Sequence, residues 1–397
     1  MIPLLRRPAC VAVAGLLLVT GSSPSATASL GPNNYLETSA GQGAREPDKS
    51  SNLYLVRRFR YPGGGGDGYV GTDTDFSGRF AYGGHYGPRG GIHIFDITGD
   101  EPTRVSFFGC PGNQNDVAVV SPGIVALGFH SSRCAKVESG IQLIDVRDPK
   151  RPKLLGAVEI PDGGTHTLTV YPGKPIIYSS NSGSGSDESI VDASDPNNPR
   201  IVNVFDSGPN VGCHDVSFWF KEDEKLAFCA GSGGGSQIWD VSDPFEPTII
   251  SEIINPAIFF HHSIAATPDG KFLAIGDESF ATCTGTSAPA GAIWFYDIRD
   301  RSAPKLVGYF GLGRDAALFC TAHNFEFIPG TRFLVASWYG GGMNVIDASD
   351  PANPKEVAHF QDAGTDYWSA FWHEGRIYAS GIPGLDVFEI EGLREGP

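Results

Sequence analysis

Between Gly140 and Ile160 the chain reads GIQLIDVRDPKRPKLLGAVEI. Gly140 to Asp145 is an apolar run closed by an acid, the composition of a buried strand. Asp148-Pro149 then starts a turn. The Asp carboxylate can bond its own downstream backbone, and Pro pre-sets φ at the second turn position. Pro152 opens a second β-rich run, where a missing N–H is tolerable. The stretch therefore predicts strand, tight turn, antiparallel strand.

Read outward, the phrase recurs. GIHIFDITGDEP begins at Gly91, SIVDASDPNNP at Ser189, SQIWDVSDPFEP at Ser236, AIWFYDIRDRSAP at Ala292 and MNVIDASDPANP at Met343. A degenerate copy, LDVFEIEG, begins at Leu385. The anchoring acids Asp96, Asp145, Asp192, Asp240, Asp297, Asp347 and Glu389 stand 42 to 57 residues apart. Each phrase also follows a hairpin, such as His214–Phe220 with Lys225–Ala230, or His323–Ile328 with Arg332–Trp338. The unit is then four antiparallel strands, A to D, in roughly 48 residues, the size of a propeller blade. The seven phrases predict an all-β, single seven-bladed β-propeller over residues 51–397. The 52 Gly and 29 Pro exclude a helical solenoid of similar period. The seventh phrase has no fourth strand after it. Ser51–Arg60 (SNLYLVRRFR) would supply that strand and close the ring, sparing a bare sheet edge.

The phrase closely resembles the repeat of the LVIVD-repeat family of exported β-propeller proteins, over roughly residues 51 to 391. The resemblance implies the fold. It implies no reaction, because propellers host enzymes, adhesins and scaffolds alike.

Residues 1–28 read as a signal peptide: Arg6 and Arg7, the apolar run Val11–Val19, and Ala26-Thr27-Ala28 as a small-x-small cleavage site. The apolar run is too short to span a bilayer, and no other long one follows, so no membrane span is expected in the mature chain. The expected location is secreted, with residues 29–50 as a flexible leader. The net charge of −16 becomes two units more negative without the signal. No basic run remains to follow a phosphate backbone, which argues against nucleic acid as a partner.

Counting back from the A–B turns brings histidines into register. Pro172, Pro268 and Pro329 each lie six residues after a His, namely His166, His262 and His323. His214 matches by its hairpin. Blades 3 to 6 thus each begin strand A with His, and the same count gives Asp116 in blade 2. Neutral imidazole suits Fe, Cu or Zn, so His166, His214, His262, His323 and Asp116 are candidate ligands for a divalent transition metal at the channel mouth. Three or more of the imidazoles would then bring nitrogens within ~4.5 Å of one another. In the competing reading each His points into its blade and bonds its own backbone. Asp215, Asp277, Glu278 and Asn324 are candidate outer partners for these rings. His85 and His130 end B strands on the same face and are further candidates. Asp73 and Asp75 in GTDTDFSG carry part of a calcium-loop pattern, and the expectation there is a turn. Trp338, Tyr339 and Trp368 either pack between blades or wall a pocket.

Six cysteines follow the signal: Cys110, Cys134, Cys213, Cys229, Cys283 and Cys320. After export an even count signals disulfides, and blade geometry pairs 110–134, 213–229 and 283–320, with a metal-ligand role as the alternative for Cys213, next to His214. G-x-S-x-G, Walker and H-E-x-x-H motifs are absent. Two functions remain open. One is a binding module that holds a protein, glycan or small molecule on the loop face. The other is a metal-dependent oxidoreductase built on the four histidines.

Overall fold

In the computed structural model the described residues are 47–62, 70–132, 137–161, 163–181, 187–208, 211–279, 291–313 and 321–393. Each repeat phrase forms strand C of an antiparallel sheet, and the described residues hold seven such sheets, six of four strands and one of five. In blade 2 the strands are A Gly112–Ser121, B Ile124–Ser132, C Gly140–Asp145 and D Lys153–Glu159. The repeated acid works as the sequence suggests. Asp145, Asp192, Asp240, Asp297 and Asp347 each accept the N–H two residues on, in an Asx turn that ends strand C. Gly at the head of strand C is a steric requirement. Gly140 has φ +132°, and a Cβ there would stand 2.2 Å from the Val158 carbonyl oxygen of strand D.

Strand A of each blade contacts strand A of the next, and blade 7 returns to blade 1. Seven apolar clusters of buried residues lie between successive blades. Trp239, for example, is fully buried between blades 3 and 4. Burying a large apolar side chain contributes about 1.5–3 kcal/mol, so these seams hold the ring.

The strand that closes the ring is Leu53–Arg60, paired antiparallel to Gly384–Ile390 of blade 7. Arg58 fastens it: Nε and Nη2 donate to Asp386 at 2.9 and 2.8 Å, and Nη1 donates to Asp362 at 2.9 Å. A further short strand lies within the stretch expected as leader. Asp48–Lys49 pairs with Phe360–Gln361 as a fifth strand on blade 6.

Adjacent A strands are joined mainly by side chains reaching the neighbouring backbone. Asp75 Oδ2 accepts the Val119 N–H at 2.6 Å, and Asp116 Oδ2 accepts that of Leu168 at 2.7 Å. Thr167 and Thr169 donate to the carbonyls of His214 and Val216. This corrects the turn expected at Asp73 and Asp75: both lie in strand A of blade 1, Gly71–Ser77. Polar residues serve there because the inner strands bond each other through side chains.

Cys213 and Cys229 form the expected disulfide, with Cα atoms 5.5 Å apart. Cys110 is also disulfide-bonded. The pairings assigned to Cys134, Cys283 and Cys320, like the signal peptide, fall outside the described residues. Among the described residues no helix is long and apolar enough to cross a membrane.

Candidate metal centre

His166, His214 and His323 stand at the heads of strands A Thr167–Val170, Asp215–Lys221 and Phe325–Phe327. His262 lies in strand A His261–Ala266 of blade 5. Their rings follow one another from blade to blade. Centroids are 4.2 Å apart for His166–His214, 4.1 Å for His214–His262 and 3.8 Å for His262–His323. His130, from strand B of blade 2, extends this arc at 4.9 Å from His166.

The arc does not gather three imidazoles around one point. Among the described residues the set whose ligand atoms all lie within 4.8 Å of one another is His214, His262 and Glu278, all buried. The reason is angular: consecutive blades turn the A strands progressively around the ring, so neighbouring rings meet while more distant ones diverge. Glu278 follows strand B of blade 5, Phe272–Asp277, and enters as a candidate ligand in place of the outer role expected for it. Its Oε2 is 3.5 Å from His262 Nε2, and its Oε1 is 3.9 Å from His323 Nε2. His323 is thus next in reach.

Asp116 stands apart from this set. It is buried, and its two oxygens accept the Val117 and Leu168 N–H groups. Asp277, adjacent to Glu278, turns to the loop and accepts the N–H groups of Phe259, Phe260 and Gly291. Asp215 is half-buried in strand A of blade 4, and Asn324 links Ser263 to Asp73. His261 bonds Ser236 and faces away from the set. His85 is also elsewhere: its Nδ1 meets His93 Nε2 at 3.2 Å, on blade 1.

In His166, His214, His262 and His323 the Nδ1 atom has a partner. His214 Nδ1 donates to the His262 carbonyl at 3.3 Å, and His323 Nδ1 donates to that of Trp368. A carbonyl only accepts, so in these neutral rings Nε2 keeps its lone pair. The bonds differ from the own-blade bonding of the competing sequence reading: Nδ1 of His214 and of His323 ties its strand to the backbone of the next blade, and Nε2 keeps a lone pair. Burial keeps the imidazoles neutral, lowering His214 and His323 to about 3 and His262 well below its ordinary value. Burial also raises Glu278 to about 7, opposed by the hydrogen bond from Tyr339.

Two residues bearing on the arc have left-handed backbones without being Gly. Tyr339 has φ +34° and donates its hydroxyl to Glu278 Oε1 at 2.8 Å. Gln114 has φ +80° and meets His166 Nε2 at 3.2 Å. Such backbones cost roughly 1–3 kcal/mol and collect where a side chain must be aimed. Tyr339 and Trp368 flank His323, with ring centroids 4.6 and 4.7 Å away, while Trp338 is buried between blades. The sequence reading did not identify Gln114, and no local signal pointed to it.

Two imidazoles and a carboxylate can coordinate a divalent metal and leave positions free. A separate cavity of about 610 Å³ lies toward the A–B turns of blades 1 to 3, lined by Asp73, Asp75, Glu326 and Tyr171 among others, with none of the histidines.

In comparisons with known proteins, the model of the LVIVD repeat matches residues 335–362, from strand B to the end of strand D in blade 6. No curated protein matches the chain.

Proposed function

The chain is an LVIVD-repeat protein folded as a seven-bladed β-propeller, and on that premise we propose that it is an exported metalloprotein holding a divalent iron, copper or zinc ion on His214, His262 and Glu278. In this reading the site sits at the mouth of the central channel, where strands A begin. The observation that carries it is the mutual approach of three buried ligand atoms within 4.8 Å. His323 is the fourth ligand in reach. Three protein ligands and open positions are the pattern of catalytic rather than structural metal sites. Two histidines and one carboxylate suit iron that activates a small molecule, so the reaction class is oxidoreductase. The ion would supply Lewis acidity or electron transfer. The chain supplies neutral imidazoles, a carboxylate held by Tyr339, and aromatic walls at Tyr339 and Trp368.

The test is metal analysis of the full chain after refolding in the presence of Fe(II), Cu(II) or Zn(II) and exhaustive dialysis. About one ion per chain, lost in His214→Ala and His262→Ala, is the expected result. Wild type without stoichiometric metal would overturn the reading.

A second reading, a module that binds a protein, glycan or small molecule, draws support from the loop leading to His262. Ile254 and Phe259 there are 64% and 67% exposed, unusual for large apolar side chains.

A further inference from the structure

We infer that Asp73, on blade 1, fixes the metal-binding tautomer of His262, on blade 5, acting through Asn324 and Ser263. The inference deepens the metal reading above, and its first link can be read in metal-free protein.

Asn324 Nδ2 donates to Asp73 Oδ1 at 2.6 Å. The carboxylate can only accept, so the amide is oriented with its oxygen away from Asp73. That oxygen receives the Ser263 hydroxyl at 2.8 Å. With its hydrogen spent, Ser263 Oγ is left as an acceptor. His262 Nδ1, 3.0 Å away, must therefore donate to it. A neutral ring with its proton on Nδ1 has its lone pair on Nε2, the atom facing Glu278. Asp215 also lies within reach of Ser263. Whether the Asp215 carboxyl accepts from this hydroxyl or donates to it, Oγ keeps a lone pair for His262 Nδ1, and His262 keeps the same tautomer.

The relay is dry. Asn324, Ser263 and His262 are 5%, 1% and 2% exposed, so bulk water does not compete for these bonds. It is also the reversible part of the arc. His214 and His323 donate to backbone carbonyls, which have no second orientation. His262 depends on an amide that can turn over. Without Asp73, the Asn324 NH₂ can face Ser263 and donate to it. The hydroxyl then donates to His262 Nδ1, and the ring proton moves to Nε2, where it blocks a metal. Asp73 is thus a positioning residue with no contact to the ion.

The experiment uses the full chain labelled with ¹⁵N-histidine, as wild type, Asp73→Leu, Asp73→Asn and Ser263→Ala. Long-range ¹H–¹⁵N NMR of the metal-free protein reads the His262 tautomer, and equilibrium dialysis against Zn(II) reads affinity. Wild type and Asp73→Asn, whose amide oxygen can still accept from Asn324, should carry the proton on Nδ1. Asp73→Leu and Ser263→Ala should shift it toward Nε2 and weaken Zn(II) about 10–100-fold, the usual effect of removing a partner behind a ligand. A wild-type His262 protonated on Nε2 overturns the relay, as does an unchanged tautomer in Asp73→Leu, whatever Ser263→Ala does. If Asp73→Leu does not fold, Asp73→Ala carries the same test. Expected tautomers in a wild type that binds no Zn(II), Fe(II) or Cu(II) uphold the relay and refute the metal reading.

Discussion

His262 Nε2 stands 3.5 Å from Glu278 Oε2, and both side chains are almost wholly buried. A lone pair and a carboxyl at this distance either share a proton or share a cation. Tyr339 holds the other carboxyl oxygen at 2.8 Å, so the pair is fixed from the far side.

Glu278→Gln tests which partner the pair needs. Gln keeps the size and the acceptor for Tyr339 and removes the charge. Metal affinity should fall at least ~10–100-fold, the range seen for loss of a mere supporting partner. The melting temperature of the metal-free protein should not drop, since a buried ionisable group has been removed. Calorimetric titration with Zn(II) and thermal melts measure the two. Unchanged Zn(II) binding would remove Glu278 from the ligand set.

Glu326 predicts a pH dependence. Burial raises it to about 8, from 4.5 when free. Between those values the native chain keeps a proton that the unfolded chain has released, so stability falls as pH rises from about 4.5 to about 8. Glu326→Gln keeps an oxygen to accept the Trp372 N–H and abolishes that slope. The variant should gain on wild type by at most about 1.4 kcal/mol per pH unit across the window, less for the partial exposure of this side chain. Urea midpoints of both proteins at pH 5, 6.5 and 8 give the difference. A constant difference would show that Glu326 titrates normally.

Arg58 fastens the closing strand. Asp386, which accepts two of its N–H groups, is 1% exposed. Arg58→Ala strands that buried carboxylate and should cost roughly 3–5 kcal/mol. Adding Asp386→Asn should restore part of the loss, because no unpaired charge then remains. Denaturant midpoints decide, and a double variant no better than Arg58→Ala would assign the effect to packing. Deletion of Ser51–Arg60 should destabilise more than either.

The Cys213–Cys229 bridge spans a sequence separation of 16, directly before His214. Cys213→Ser with Cys229→Ser should lower stability by about 3 kcal/mol in the chain-entropy model. Metal affinity should fall as well, because the bridge anchors the turn that delivers His214 to its strand. A melt of the double variant against wild type, both under oxidising conditions, checks the first effect, and a Zn(II) titration the second.

The blades were legible because six of the seven repeat the same Asp at the end of strand C, and an Asx turn needs only local sequence. The histidines were legible because a fixed count from the A–B turn places them in register. Glu278 was harder. Asp277 and Glu278 are consecutive acids, and the strand decides which faces inward by alternation. Asp73 misled because an inner strand that bonds its neighbours through side chains lacks the apolar alternation that marks a half-buried strand. Its link to Asn324 spans 251 residues of sequence, beyond any local pattern. Gln114 and Tyr339 owe their positions to backbone conformations that their residue types do not favour.

The pairing of Leu53–Arg60 with Gly384–Ile390 joins the first long strand of the described residues to their last. During translation the intervening blades can form from sequence neighbours, but Leu53–Arg60 must wait until Gly384–Ile390 has been made. Bringing together ends about 330 residues apart costs roughly 5 kcal/mol of chain entropy if nothing between them is ordered. Finished blades reduce that cost by carrying the ends toward each other. Any chain that stops short of Gly384 therefore keeps two unpaired strand edges, one at each end of an open arc. Such edges template aggregation and admit proteases, so the same clasp that completes the ring also marks every unfinished copy for removal.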